Sequence, residues 1–523
     1  MGTGITATAT GEGVRERART PRRILVEGAS LGILADVALR GAPGGLGWTI
    51  WVLGLAVAAV SVARYDGLVV NREQRGWLAL AVACAIAFSW RDAEELRVAN
   101  VLGTLVSLSM FAMSAAGLPA PSILAARLRD VIAAGAYTVR DLLVGAPTLV
   151  ARDADLFTLP AARGGASWTA VRALLLTAPL AFVFTVLLSR ADPVFASFFR
   201  LPTLDVAQIV PHLALFGVFA WLSAGWLRGA VLALSPRPTL PAHLPMRLGH
   251  AEVIASLGTV IALFALFVSL QLRWFFGGAD VVLATTGLTV AEYARRGFFE
   301  LVAVSALVLP LILGTRAAID DARLVRRHRQ LSLLLLVLLA AIIASAVLRM
   351  RLYVAYFGLT TDRLYATALM GWIAVVSVAL ALTVLRGRAR PFAAIAVLSG
   401  FAALGALNIG NPELIIARGN LSRTPDTRGI DYEYLTRLSG DAAPAVVHAL
   451  RGAAQSVHAC AGARALRKRW VRVEDTSWNL GARLGRGAVE QGMLEDEVAR
   501  LCAGVAVGRN AGVPVNEPAS RGP

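Results

Sequence analysis

Apolar residues fall along this chain in long blocks separated by short polar turns. Blocks that approach the roughly 20 residues needed to cross a hydrocarbon core predict membrane helices. Eleven can be marked, at about 24–41, 46–63, 76–90, 98–117, 168–189, 209–234, 251–272, 297–316, 330–348, 365–386 and 391–410. The first holds Glu27 and Asp36 inside its apolar run, and the third is short. The period-two alternation of a transmembrane barrel is absent. The pattern therefore predicts an all-α fold: a polytopic transmembrane helix bundle with a small helical C-terminal extramembrane domain.

The polar segments divide the rest. Residues 1–23 form a basic tail, expected to be cytoplasmic, with no apolar core and cleavage site of the kind a removed signal peptide needs. Residues 24–410 form the bundle. Its loop 118–167 alternates apolar and charged residues, as in "ARDADLFTLPAARGG", and predicts a surface-lying amphipathic helix. From 411 to 505 the chain reads as several helices, with Tyr434, Leu438, Ala442, Ala445, Val446 and Leu450 at near-helical spacing. Residues 506–523 have the composition of a disordered tail.

Composition agrees. Hydrophobic residues make up 57% and charged residues 16%, against about a quarter charged in soluble domains. The net charge is +17, and Lys468 is the only lysine. A nucleic-acid binder can be this basic, but the arginines lie in short loops between apolar runs and form no basic face interleaved with aromatics. Nucleic acid is not an expected partner; the lipid bilayer is. With the N-terminus inside, inner segments hold 23 arginines and outer ones, before the tail, 11. This bias predicts a cytoplasmic N-terminus and an extracytoplasmic tail from Asn411; arginine in place of lysine, with abundant Ala and Gly, suggests a GC-rich bacterial genome, so the expected location is a bacterial cytoplasmic (inner) membrane.

Four polar stretches and one buried acid stand out, all on the arginine-poor side. "LSRADPVFASFFR" carries Arg190 and Asp192, the latter before Pro193 where a helix stops. "QLRWFFGGADVVLATTGLTVAEYARRGFFE" predicts a re-entry loop with a Gly–Gly turn, then a helix capped by Thr289 in which Glu292, Arg296 and Glu300 share a face. "RMRLYVAYFGLTTDRLY" brings Arg351, Tyr353 and Arg363 to the outer end of two spans. "NPELIIARGNLSR" offers Asn411, Glu413, Arg418 and Asn420, followed by Asp431. Asp36 lies in the outer half of the first span, and Arg40, four residues on, is its local partner.

The motifs "TGLTVAEYARRGFFEL", "RLYVAYFGLTTDRLY", "ADPVF" and "NPELIIARGN…DYEYLTRLSGDAAPA" resemble the bacterial membrane family of domain of unknown function 4173, with its neighbour 4153. The resemblance runs from about residue 32 to about 477. It implies an integral membrane protein of no established activity. Glu413 departs from the Asp usual in that family, and Tyr432-Glu433-Tyr434 from its Leu-Asp-Tyr run.

Other signals carry no chemistry. "GASLG", 28–32, matches a nucleophile elbow but lies in a membrane helix, where small residues serve close packing. The six histidines have no metal spacing, and no cofactor motif is present. Cys84 fits packing; Cys460 and Cys502 either pair, if the tail faces an oxidising space, or remain free thiols. The expected function is a non-enzymatic sensor or scaffold whose outer polar site meets an anionic envelope component or a protein partner. The alternatives are a transporter or lipid-handling protein, and a membrane-embedded enzyme using Asp36, Glu300 or Asp431 as base.

Overall fold

The computed structural model describes residues 19–40, 45–115, 122–154, 206–232, 247–286, 298–423, 430–471 and 478–503, with positions 177, 184 and 188. Seventeen α-helices are used below. In the first half these are α1 (Arg19–Leu39), α2 (Leu46–Tyr65), α3 (Arg72–Trp90), α4 (Glu94–Ala115), α5 (Leu128–Thr148) and α6 (Val206–Leu227). The second half holds α7 (His250–Thr286), α8 (Phe298–Ala317), α9 (Ala322–Phe357), α10 (Thr361–Leu382) and α11 (Arg390–Gly410). The tail holds α12 (Pro412–Leu421), α13 (Tyr432–Arg437), α14 (Ala443–Arg451), α15 (Val457–Val471), α16 (Leu480–Gly492) and α17 (Glu495–Cys502).

Among the described residues, eight helices are long and apolar enough to cross a membrane. They match eight of the eleven expected spans. The runs at 24–41 and 76–90 are helical too, as α1 and α3, but α1 carries Arg19, Arg22, Arg23, Glu27 and Asp36 and is not among the eight. The run at 168–189 lies outside the described residues, apart from three single positions.

The bundle has two cores. One joins α1–α6 around Ile24, Trp51, Leu55, Phe111 and Trp226; the other joins α7–α11 around Leu257, Ile312, Leu335, Leu339 and Met370. Helix α11 is the seam, with Ala394 in the first core and Phe392 in the second. The α1–α6 crossing explains "GASLG": a methyl group on Gly28 would lie 2.8 Å from Ala224 Cβ, and one on Gly32 2.7 Å from the Phe216 carbonyl. These small residues let two backbones approach, as the sequence pattern suggested.

Helix α7 corrects one expectation. It runs unbroken through Gly277 and Gly278, where a re-entry turn was expected. Each glycine costs a helix only about 1 kcal/mol relative to Ala. A break at the pair would forgo the i→i−4 hydrogen bonds that run across it, so the helix continues to Thr286. Helices α7 and α9, of 37 and 36 residues, outlast the hydrocarbon at about 55 Å each. Consequently "RMRLYVAYF" is the last turns of a helix rather than a loop. Helix α5 fills part of the amphipathic loop. It buries Asp130, Ala133, Ala134, Thr138 and Asp141 and leaves Ile132, Val139 and Leu143 exposed.

The tail folds on its own core of Ile416, Leu435, Val446, Leu450, Leu466, Trp470, Val489 and Leu501. Cys460 and Cys502 form a disulfide that ties α15 to α17, settling the pairing the sequence left open; Cys84 is a buried free thiol. Among the described residues, the hydrogen bonds between tail and bundle lie at one end of the bundle. Leu46 N donates to the Trp478 carbonyl (2.8 Å), Asp92 N to Asp441, and Leu359 N to Asn420. At the other end, Thr20 donates to Asp66 and Ile123 N to Glu73. Leu46 and the turns at 90–94 and 357–361 thus share a face with the tail, the grouping that the arginine pattern predicted.

Candidate functional site

The polar residues of the tail face gather at two junctions. The first lies where α9 turns into α10. Helix α9 ends at Gly358, whose φ of +80° suits glycine and leaves carbonyls open at the helix end. The tail closes that end. Asn420 accepts from Leu359 N (2.7 Å) and donates to the Leu359 carbonyl (2.8 Å). Arg423 donates to the carbonyls of Val354 (2.8 Å) and Ala355 (2.6 Å). Arg363 donates to the Gly358 carbonyl and lies over the Tyr353 ring, 4.0 Å from its centroid. The Tyr434 hydroxyl accepts from Thr361 N (3.0 Å). Two stretches picked from sequence, around 349–365 and 411–423, therefore meet.

The second junction is built on residues 91–93, between α3 and α4. Arg91, 7% exposed, donates to the Asn408 carbonyl (2.7 Å) and pairs with Asp441 (3.5 Å). Asp441 also accepts from Asp92 N (2.7 Å) and Ala93 N (3.1 Å), so it satisfies donors at the start of α4. Asp92 in turn accepts from Gly440 N (2.8 Å). Asn479 caps α16 through Ala482 N and donates to the carbonyls of Phe88 and Arg91 (3.1 and 2.9 Å). Below this layer, Asn100 and Asn408 exchange side-chain hydrogen bonds at 2.9 and 3.0 Å, both fully buried or nearly so.

Asn411 is the corner between the last membrane helix and the tail. It is the one described non-glycine residue with positive φ, 53°, a conformation Asn tolerates better than most. Its side chain accepts from Leu414 N and donates to the Asp441 carbonyl. Pro412 then opens α12 with its φ preset. Glu413, next along, is 5% exposed and accepts from the backbone N (2.6 Å) and hydroxyl of Ser439. Burial pushes its carboxyl up to about 7 against those two hydrogen bonds, and the neighbouring Asp441 and Glu95 charges add to the rise. Burial likewise raises Asp441, opposed by its backbone donors and by Arg91.

Beside both junctions a cavity of about 710 Å³ opens between the first turns of α4 and the tail. Glu94, Glu95, Arg97, Glu413, Arg437 and Arg469 face it, with Val98, Val101 and Leu102 along one wall.

The other sequence candidates spread out. Asp36 accepts from Arg40 (2.7 Å) and contacts His212 Nδ1 at 2.9 Å, near the tail-face end of α1 but in neither junction. Asp431 caps α13 through Tyr434 N (2.9 Å) and lies in neither junction. Arg351, Arg418 and Glu300 are exposed, and Arg423 rather than Arg418 makes the tail's contact with α9. The expected ladder of Glu292, Arg296 and Glu300, and the residues Arg190 and Asp192, fall outside the described residues except for Glu300. Sequence reasoning missed Arg91, Asp92, Ser439, Asp441 and Asn479 as site residues and undervalued Glu413. Their signal was faint: "SWRDAEEL" reads as a span end with acids at a helix start, and "LSGDAAP" reads as a turn.

A model of the family described as Domain of unknown function (DUF4153) matches residues 78–449. It covers both junctions up to Asp441. The match is to the neighbour of the family that the sequence motifs chiefly suggested; a relation to 4173 does not emerge. No curated protein matches. No solved structure matches either.

Proposed function

The chain belongs to the DUF4153 family, a domain of unknown function, and is rich in helices able to cross a membrane; from that premise we propose that it is a non-enzymatic sensor or scaffold of the bacterial cell envelope. Its C-terminal domain sits on the extracytoplasmic side and is coupled rigidly to the bundle.

The observation that carries this reading is how the tail-face charges are used. Arg91, Asp441, Asn420, Arg423 and Asn479 all bridge tail and bundle, and most of their bonds go to backbone groups at helix ends. Buried polar groups satisfied in this way specify one docked geometry. A displacement of the tail is transmitted directly to the start of α4, through Asp441, and to the end of α11, through Arg91. An enzyme of this face would instead direct acids and a base at a common reacting atom. The Cys460–Cys502 disulfide supports an oxidising compartment for the tail, in agreement with the arginine bias.

Single cysteines at Gln455, exposed in the tail, and Arg326, exposed at the opposite face, test the arrangement. An impermeant maleimide is expected to label position 455 in intact cells and position 326 only after permeabilisation. The reverse order overturns the sidedness. Coupling is tested separately: Asp441→Asn is expected to raise amide exchange in the first turn of α4 as well as in the tail. Exchange that rises in the tail alone refutes rigid coupling.

A further inference from the structure

The cavity between α4 and the tail holds charges that the docking does not use. Arg469 is committed to the carbonyls of Thr436 (2.9 Å) and Leu438 (2.8 Å), and Arg437 to Glu433 (2.5 Å). Glu94, Glu95 and Arg97 form no ion pair with any described residue, although Glu94 and Arg97 are three apart on one helix. Arg97 Nε is buried without a hydrogen-bond partner, and its guanidinium rests on the Phe88 ring, 4.9 Å from the centroid. A buried donor left unmade is costly. Acids in the first turn favour the helix dipole, which accounts for Glu94 and Glu95 but not for an arginine beside a cavity that has a ring contact and no ion pair among the described residues.

The wall continues downward without polarity. Val98 and Leu102 are each 57% exposed on a helix that crosses the membrane, with Val101 between them in the cavity lining. From Glu94 to Leu102 the helix rises about 12 Å. A ligand lying along this wall meets two carboxylates, then a guanidinium, then an apolar surface open to lipid. The order matches an amphiphile whose headgroup ends in a primary ammonium, followed by a phosphodiester and an acyl chain. A choline headgroup lacks the N–H donors, and a glycerol headgroup lacks the cation.

We propose that this cavity is a binding site for an aminophospholipid of the phosphatidylethanolamine class. The ammonium sits between Glu94 and Glu95, the phosphate on Arg97, and an acyl chain along Val98–Leu102. The inference deepens the reading of this face as a recognition site for an envelope component and rests on it.

The test uses the full-length protein in detergent and a phosphatidylethanolamine with a diazirine-bearing acyl chain. Cross-links are expected in the 98–102 segment of α4. Excess unlabelled phosphatidylethanolamine should reduce them about tenfold, while equal phosphatidylcholine or phosphatidylglycerol should reduce them by less than twofold. The Glu94→Gln/Glu95→Gln variant should lose the preference for ethanolamine over choline. Arg97→Gln should lower capture of the phosphatidylethanolamine probe at this segment. Cross-links spread evenly over lipid-facing helices, equal competition by phosphatidylglycerol, or an unchanged preference in the double variant would overturn the proposal. So would competition by soluble glycerophosphoethanolamine as strong as by the lipid, since the acyl wall would then play no part. An unaltered maleimide pattern at position 455 in each variant shows that the tail is still presented, and separates failure of this site from failure of the sidedness.

Discussion

Glu413 makes docking of the tail dependent on pH, and the size of the effect follows from its surroundings. The carboxyl is almost fully buried beneath Ser439, and burial raises it from 4.5 to about 7. The folded state therefore holds the proton more tightly than the undocked tail does. That contribution is fully present below about pH 4.5 and is lost as pH rises through about 7. Each pKa unit is worth about 1.4 kcal/mol, so between pH 5 and pH 8 docking should weaken by about 2–3 kcal/mol, or between one and two orders of magnitude in the opening equilibrium. Asp441 is raised as well and works in the same direction. The assay is amide exchange of the 412–421 and 435–450 segments in lipid nanodiscs at several pH values, corrected for intrinsic exchange rates. Protection should fall across this window. Glu413→Gln preserves shape and acceptor oxygen for Ser439 but does not titrate, so most of the slope should disappear, leaving the part due to Asp441. Wild-type protection that is flat or rises towards pH 8 would refute the reasoning, as would a Gln variant with the full wild-type slope.

Arg91→Met alone leaves Asp441 buried without its cation and should destabilise the docked tail by about 3–5 kcal/mol, whereas Arg91→Met with Asp441→Leu should recover a large part of the loss; thermal unfolding of the pair and the singles reads this. Asn420→Ala removes both bonds to Leu359 and should cost about 1–3 kcal/mol, visible as faster exchange around residues 354–361. Reducing the Cys460–Cys502 disulfide, which spans 42 residues, should lower tail stability by about 4 kcal/mol on the chain-entropy model, read as increased proteolysis of the tail in reductant. Gly32→Leu places a side chain against the Phe216 backbone and should reduce folded yield and melting temperature, while Gly67→Ala, in open space at φ +70°, should cost far less.

Much of this molecule was legible in its sequence. Hydrocarbon admits only backbone that satisfies its own hydrogen bonds, so apolar run length marked the helices without any knowledge of their neighbours. Arginine placement grouped the loops by face, and the contacts of residues 46, 92 and 359 with the tail bear that grouping out. Local rules also identified the small-residue packing of α1 and the Asp36–Arg40 pair. Tertiary structure alone decided what those groups meet. Arg91 and Asp441 are 350 residues apart, and Asn479 reaches a helix end 388 residues away. Nothing in the surrounding sequence distinguishes either from an ordinary span end or an ordinary helix cap. Partner choice across such distances is set by which helix ends are left with open donors and carbonyls after packing. The value of a buried charge depends on the water excluded by the segment that finally covers it.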